Sequence, residues 1–89
     1  MSQPVEVAEG SDDLEIAKGS RRLVGYSFQE TGGDTAEVVL RNSEDGPIVA
    51  IVVLAQEESV RDHFGDGIRC SNGIYLERTG TVRGSVWTA

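Results

Sequence analysis

The sequence contains one cysteine and one histidine, and this scarcity excludes several kinds of site. Cys70 alone can form neither an internal disulfide nor a cysteine-based zinc site. His63 would need carboxylates to hold a metal ion, and the near ones are Asp62, Asp66 and Glu58. Their spacing matches no calcium loop, and aspartates beside glycines are typical of turns. We therefore expect no metal and no cofactor.

Motifs for nucleotide binding and for hydrolysis are also missing. The segment Gly65-Asp66-Gly67 lacks the third glycine of a dinucleotide-binding loop, and no Walker sequence occurs. Ser59, Asp62 and His63 are the residue types of a catalytic triad, but neighbours in one short loop cannot be aimed at each other. Cys70, on the flank of a predicted strand, is typical of a small buried thiol rather than of a nucleophile. The sequence thus predicts a protein that is not an enzyme.

Basic clusters and long apolar runs are scarce as well. The longest apolar run, residues 48–55, has 8 residues, where a membrane helix needs about 20. Fifteen acidic residues outnumber 8 basic ones, the net charge is −7, and Arg21-Arg22 is the only basic dipeptide. A phosphate backbone needs a basic stripe, so we expect no nucleic acid partner and no anionic membrane partner. The first residues lack a basic stretch followed by an apolar one, so no signal peptide is predicted.

What the sequence does contain is β patterning, in 89 residues of which 38% are hydrophobic. That length allows one domain with a thin core. Alternation of apolar and polar residues predicts strands over residues 23–28, 36–40 and 82–88, with Val82, Val86 and Thr88 on one face of the last. Residues 48–54 are β-branched nearly throughout, which predicts a strand buried on both faces at the centre of the core.

Turn residues separate these strands. Residues 42–47 and 79–81 predict turns, and residues 56–63 predict a loop that leads into a strand near Val60. Asn72-Gly73 lies between two apolar segments and is the strongest hairpin signal, because a type I′ turn needs two residues with positive φ. About seven or eight short strands at this spacing predict an all-β fold, a small antiparallel β-sandwich or barrel.

Residues 1–20 differ from the rest because they concentrate acidic residues. We interpret them as an extended, acidic N-terminal arm, followed by a β-sandwich domain over residues 21–89. Val5, Val7, Leu14 and Ile16 alternate with acidic residues, so short strands can form here where a sheet edge is offered. These four residues, together with Trp87, are the predicted protein-contact residues, since large aromatics dominate interfaces.

The C-terminal half carries a resemblance to a known class of proteins. The residues concerned are Gly46-Pro47-Ile48-Val49-Ala50, Leu54, Glu58-Ser59-Val60-Arg61-Asp62-His63-Phe64-Gly65, Gly67-Ile68-Arg69-Cys70, Asn72-Gly73-Ile74-Tyr75, Glu77, Gly80-Thr81-Val82 and Gly84-Ser85-Val86. This pattern resembles small β-rich structural proteins of tailed bacteriophages, which decorate the capsid or lie at the head or tail surface. The resemblance covers residues 23–88.

The resemblance implies a non-enzymatic virion structural protein. Its most direct form is a capsid decoration (cement) protein that binds the major capsid protein or other virion subunits, as a homo-oligomer, a trimer or a dimer. The implied location is the virion, assembled in the host cytoplasm. An alternative is a ligand- or carbohydrate-recognition module of a tail or head fibre, in which Tyr26, Phe64, Tyr75 or Trp87 stacks on a sugar.

Overall fold

The computed structural model describes residues 2–89. Eight strands occur in this range: β1 (Gln3–Gly10), β2 (Leu14–Lys18), β3 (Arg21–Glu30), β4 (Ala36–Arg41), β5 (Ile48–Leu54), β6 (Ser59–Cys70), β7 (Gly73–Thr79) and β8 (Val82–Thr88). They form two four-stranded antiparallel sheets, sheet A in the order β1-β8-β3-β6 and sheet B in the order β2-β7-β4-β5. The predicted all-β fold, a small antiparallel β-sandwich, is confirmed.

Consecutive strands lie in different sheets almost throughout residues 2–89. In that range β4 and β5 alone follow each other within one sheet, as a hairpin, and every other connection passes from one sheet to the other. Each sheet is therefore built from strands that are distant in the sequence. In sheet A, β8 pairs with both β1 and β3, and β3 pairs in turn with β6.

The core lies between the inward faces of the two sheets. Tyr26 and Phe28 of β3 stack with ring centroids 5.1 Å apart, and Phe64 of β6 lies against Tyr26 at 5.8 Å. Val82 and Val86 of β8 are buried on the face that the alternation predicts. The other fully buried aliphatic side chains are Val7, Leu23, Val38, Leu40, Leu54, Ile74 and Leu76.

Residues 2–20, the described part of the predicted arm, do not lie outside the sandwich, and that interpretation is corrected. β1 pairs with β8 at one edge of sheet A, and β2 pairs with β7 at one edge of sheet B. The sheet edges that these strands need are supplied by the same chain. Val7 and Ile16 explain the outcome, because the thin core recruits the inward side chain of each strand.

The prediction that residues 48–54 are buried on both faces is wrong. β5 is an edge strand of sheet B, and only its inward side chains, Val52 and Leu54 foremost, are buried. Ile51 and Val53 point outward and are 56% and 66% exposed. β-branched residues favour an extended chain, but they do not report how many faces of that chain are covered.

Asn72-Gly73 is not a hairpin turn, because β6 ends at Cys70 in sheet A and β7 begins in sheet B. Gly73 has a φ of 118°, whereas Asn72 lies outside the positive φ region. The N–H of Asn72 donates to Oδ1 of Asn42 at 2.8 Å, and Nδ2 of Asn42 donates to Oγ of Ser71 at 3.3 Å. The connection is thus fixed by a side chain from the β4–β5 turn instead of by pairing between its own flanking strands.

Glu30, the last residue of β3, is a buried carboxylate that holds two turns. Its Oε2 accepts a hydrogen bond from the N–H of Gly32 at 2.6 Å. Its Oε1 accepts from the N–H groups of Glu57 at 2.9 Å and Gly33 at 3.2 Å. These bonds, foremost that from Glu57, hold the pKa of Glu30 below its usual range, although burial opposes them. The turns after β3 and after β5 are therefore fixed to one buried charge.

Arg78 of β7 is a buried cation that likewise holds separate backbone segments together. Its guanidinium donates to the carbonyl oxygens of Ala8 and Val82, both at 2.7 Å, and of Asp12 at 2.8 Å. Burial lowers the pKa of Arg78, while the nearby carboxylates of Asp12 and Asp13 oppose that shift. Arg78 therefore joins β7 to the end of β1, to the β1–β2 turn and to the start of β8.

Candidate functional site

The five predicted protein-contact residues occupy different environments. Val7 is 1% exposed and Ile16 is buried, both in the core, while Val5 and Leu14 are half-buried against it. The packing of this chain therefore uses these four side chains. Trp87 differs, because it lies on the outer face of sheet A and is 39% exposed.

Trp87 borders a shallow groove on the outer face of sheet A, which we call the Trp87 groove. In the strand register, Gly25 of β3 lies opposite Trp87 of β8 on one side and opposite His63 of β6 on the other. The next outward row brings together Ser85, Ser27 and Arg61 in the same way. The groove has a volume of about 500 Å³. Its main lining residues are Trp87, Gly25, Ser27, Ser85, Arg61 and His63.

The floor of the Trp87 groove is low because its central side chains are small. A Cβ atom on Gly25 would lie 2.6 Å from the carbonyl oxygen of Asp62 on β6, so only glycine allows this close approach of the two strands. Ser27 and Ser85 continue the floor along β3 and β8. The indole of Trp87 therefore stands beside a flat surface that can receive a ring or an extended peptide.

Polar groups line the side of the groove that β6 forms. Oδ1 of Asp62 accepts a hydrogen bond from the backbone N–H of His63 at 2.8 Å, and Nδ1 of His63 accepts from the N–H of Gly65 at 3.2 Å. Arg61 adds a cation to the same rim. An occupant of the groove would thus meet one aromatic face and several polar groups, which is the usual composition of a recognition site.

A second exposed surface lies on sheet B, and the sequence interpretation missed it. Ile48, Ile51 and Val53 of β5 are 48%, 56% and 66% exposed, and Val39 of β4 pairs opposite Ile51. We call these four residues the β5 stripe. A register shift between β4 and β5 near Arg41 pairs that residue with Ile48, which brings Ile48 to the outer face. The missed signal was the complete lack of charge in residues 48–54.

Cys70 and His63, the candidate reactive residues, lie in separate parts of the fold. Cys70 is fully buried, its Sγ lies 3.7 Å from the carbonyl oxygen of Ile68, and burial raises the pKa of its thiol. His63 lies on the rim of the Trp87 groove. Across residues 2–89, no three histidine, cysteine, aspartate or glutamate side chains are grouped as a metal ion requires. The same part of the chain contains no helix able to cross a membrane.

The fold leaves fewer aromatic side chains able to stack on a sugar than the sequence suggested. Tyr26 is buried between Phe28 and Phe64, and burial together with the nearby Asp62 raises the pKa of its phenol. Tyr75 is half-buried on the outer face of sheet B, opposite Glu15 and Arg41. Trp87 is the aromatic side chain that stands over a groove.

Comparison with protein families, with curated proteins and with solved structures found no match for the chain. The class of the protein is therefore defined by its architecture, a small all-β sandwich of two four-stranded sheets. Within residues 2–89, its large exposed hydrophobic side chains are Trp87 on sheet A and three members of the β5 stripe on sheet B.

Proposed function

We propose that the chain is a non-enzymatic structural protein of a tailed-phage virion, a capsid decoration protein that binds the major capsid protein or another virion subunit. It is assembled in the host cytoplasm and resides in the particle as a homo-oligomer. The observation that carries the proposal is the placement of Trp87 and the β5 stripe on opposite faces of one sandwich. A subunit that joins neighbours needs two such separate contact surfaces.

The Trp87 groove is the surface that we assign to the virion partner. A partly exposed tryptophan beside small side chains can enter a pocket on a neighbour, and such anchors contribute much of the binding energy at interfaces. The polar rim of Arg61 and His63 would fix the orientation of the contact. The resemblance of residues 23–88 to phage structural proteins supports a virion subunit as that neighbour.

The first test is the composition of purified particles. Virions of the phage that encodes the chain should contain it in a fixed ratio to the major capsid protein, measured by quantitative mass spectrometry. Its absence from extensively washed particles would refute the proposal.

The second test is addition of the purified protein to particles that lack it. Trp87→Ala should weaken binding by about 30-fold or more, since an anchor residue contributes about 2 kcal/mol or more. Tyr75→Ala is the matched control, because it removes an aromatic ring from the outer face of the other sheet. If both variants bind like the unaltered protein, the Trp87 groove is not the contact surface.

A second candidate function is carbohydrate recognition at the same groove. It is favoured by the position of Trp87 beside a flat floor with the polar groups of Arg61, Asp62 and His63 around it. Sugars stack their apolar faces on aromatic rings and donate hydrogen bonds to groups nearby.

Tryptophan fluorescence distinguishes the two functions, because Trp87 is the only tryptophan of the sequence. A saturable change in emission with one member of a glycan panel would support the fibre module. An emission spectrum that stays constant over the panel would exclude stacking on Trp87.

A further inference from the structure

The free edge of β5 is unlike every other sheet edge within residues 2–89. β5 has the sequence IVAIVVL and contains no charged residue, while each of the other described strands contains at least one. The whole chain has a net charge of −7. An uncharged apolar edge is therefore the place where two copies can approach with the least electrostatic repulsion.

The remaining three edges carry features that block strand addition. β1 has Pro4 and two glutamates, and β2 has Glu15 and Lys18. β6 has several charged residues, and Gly65 and Gly67 interrupt it with φ values of 60° and 90°. Proline, charge and local distortion are the features that keep sheet edges apart. Among the four described edges, only that of β5 lacks such protection.

The side chains of β5 are self-complementary in one antiparallel register. The shift between β4 and β5 lies before Ala50, so residues 50–54 form a regular ladder. With Val52 opposite Val52 of a second copy, Ile51 lies opposite Val53 of that copy on the outer face. Ala50 then lies opposite the second Leu54 on the inner face. All these pairs are apolar, and β-branched cross-strand pairs stabilise antiparallel sheets.

We propose that β5 pairs antiparallel with β5 of a second copy about a two-fold axis at Val52. Sheet B then continues across the dimer with four strands from each copy. The unpaired backbone groups of β5 are satisfied, and the exposed parts of Ile51 and Val53 cover one another. The far edge of each extended sheet is β2, whose charges stop further growth, so the assembly closes as a dimer.

The first experiment measures the mass of the full chain in solution by light scattering over a dilution series. The unaltered protein should be a dimer. Ile51→Lys should raise the dissociation constant of the dimer by about 10-fold, because it removes the apolar contact with Val53 of the second copy and places two ammonium groups on the diagonal across the axis. Thr79→Lys is the matched control, since it adds the same charge on an exposed position of the same sheet, on β7.

Ile51→Lys is expected to fold, because Ile51 is more than half exposed in the single chain. Circular dichroism and the melting temperature measured at monomeric concentration check this. A monomeric unaltered protein, or a dimer unaffected by Ile51→Lys, would overturn the proposal. A monomer that binds particles through β5 would identify a virion subunit as the occupant and would overturn self-pairing while leaving the proposed function intact.

The second experiment tests the register by disulfide formation. Ile51→Cys mixed with Val53→Cys should give a cross-linked heterodimer, because directly opposed Cα atoms lie about 5 Å apart. Each variant alone places its cysteines on the diagonal, about 7–8 Å apart, where bridging is poor. Cys70 is buried and should not interfere. Cross-linked homodimers of the single variants, with no heterodimer in the mixture, would overturn the axis at Val52.

Discussion

Glu30 and Arg78 place opposite charges inside a domain whose other buried side chains, over the described residues, are uncharged. Each of them satisfies backbone groups of several turns, which a hydrophobic side chain of the same size would leave without partners. The turns of this sandwich therefore depend on individual side chains, and single substitutions should reveal that dependence.

Glu30→Gln should lower stability at neutral pH and flatten the dependence of stability on pH. The pKa of Glu30 is lowered from the ordinary value of 4.5, so its ionised form is favoured in the folded state. The stability that the ionised Glu30 contributes is fully present above the pKa of this group in the unfolded chain. It is lost as the pH falls through the lower pKa of Glu30 in the folded protein. Urea unfolding measured from about pH 7 down to about pH 3 follows this loss of stability, which begins near the unfolded value of 4.5.

Glu37→Gln serves as the control, because Glu37 is an exposed carboxylate on β4. The unaltered protein and the Glu37 variant should lose stability together as the pH falls. A Glu30 variant that loses stability just as steeply would contradict the role of this carboxylate.

Gly84→Ala should destabilise the protein by about 3 kcal/mol or more. Gly84 on β8 has a φ of 154°, and a Cβ atom there would lie 1.8 Å from the carbonyl oxygen of Ser27 on β3. Two strands at the centre of sheet A would have to move apart. Gly10→Ala is the matched control, because its Cβ atom would make only an ordinary contact, 3.5 Å from Nη2 of Arg78. Equal denaturation midpoints for the two variants would refute this reasoning.

At the scale of the elements, the strands were predictable from the sequence and their partners were not. Alternation located β3, β4 and β8, and the inward faces of these strands follow the pattern. Pairing depends on contacts between distant residues, which local patterns do not encode. The uncharged run of β5 fits a central strand as well as an exposed contact strand, so its composition could not decide between them.

The candidate site, like the strand pairing, could be predicted only in part from the sequence. Trp87 was predicted to be a contact residue because large aromatics dominate interfaces, and the structure places it on the outer face of β8. The floor of the Trp87 groove was not predictable, because Gly25 and Ser85 come together only through the register of β3 with β8. Acidic composition misled the interpretation of residues 1–20, because Val7 and Ile16 join the core and Val5 and Leu14 pack against it.

Removal of residues 1–20 should abolish native folding. The deletion takes away β1 and β2, one edge strand from each sheet, together with the buried side chains of Val7 and Ile16. A domain of this size has little stability to spare. The dispersion of amide signals in an NMR spectrum measures the outcome, and a chain that begins at Gln3 is the control. A dispersed spectrum for the chain that begins at Arg21 would restore the interpretation of these residues as an arm.

For the whole molecule, Cys70 offers a measure of global opening. It is fully buried between the sheets, and burial raises the pKa of its thiol, so the reactive thiolate is scarce in the native state. Its reaction with a disulfide reagent should therefore follow unfolding of the entire sandwich, with a rate that rises in parallel with the unfolded fraction in urea. Thr79→Cys, exposed on β7, supplies the control thiol that reacts at once. Rapid labelling of Cys70 in the native protein would show a local opening of β6.

The crossing connections of the sandwich also bear on how the protein is made. While the chain leaves the ribosome, the β4–β5 hairpin is the one pairing between consecutive described strands that can form locally. Among the described strands β1 is synthesised first, and its partner β8 is synthesised last. Sheet A can be completed only after synthesis has passed Thr88, and folding through such distant pairings takes milliseconds to seconds. Until then the free, uncharged edge of β5 is exposed to neighbouring chains, which makes it the segment most open to premature strand pairing.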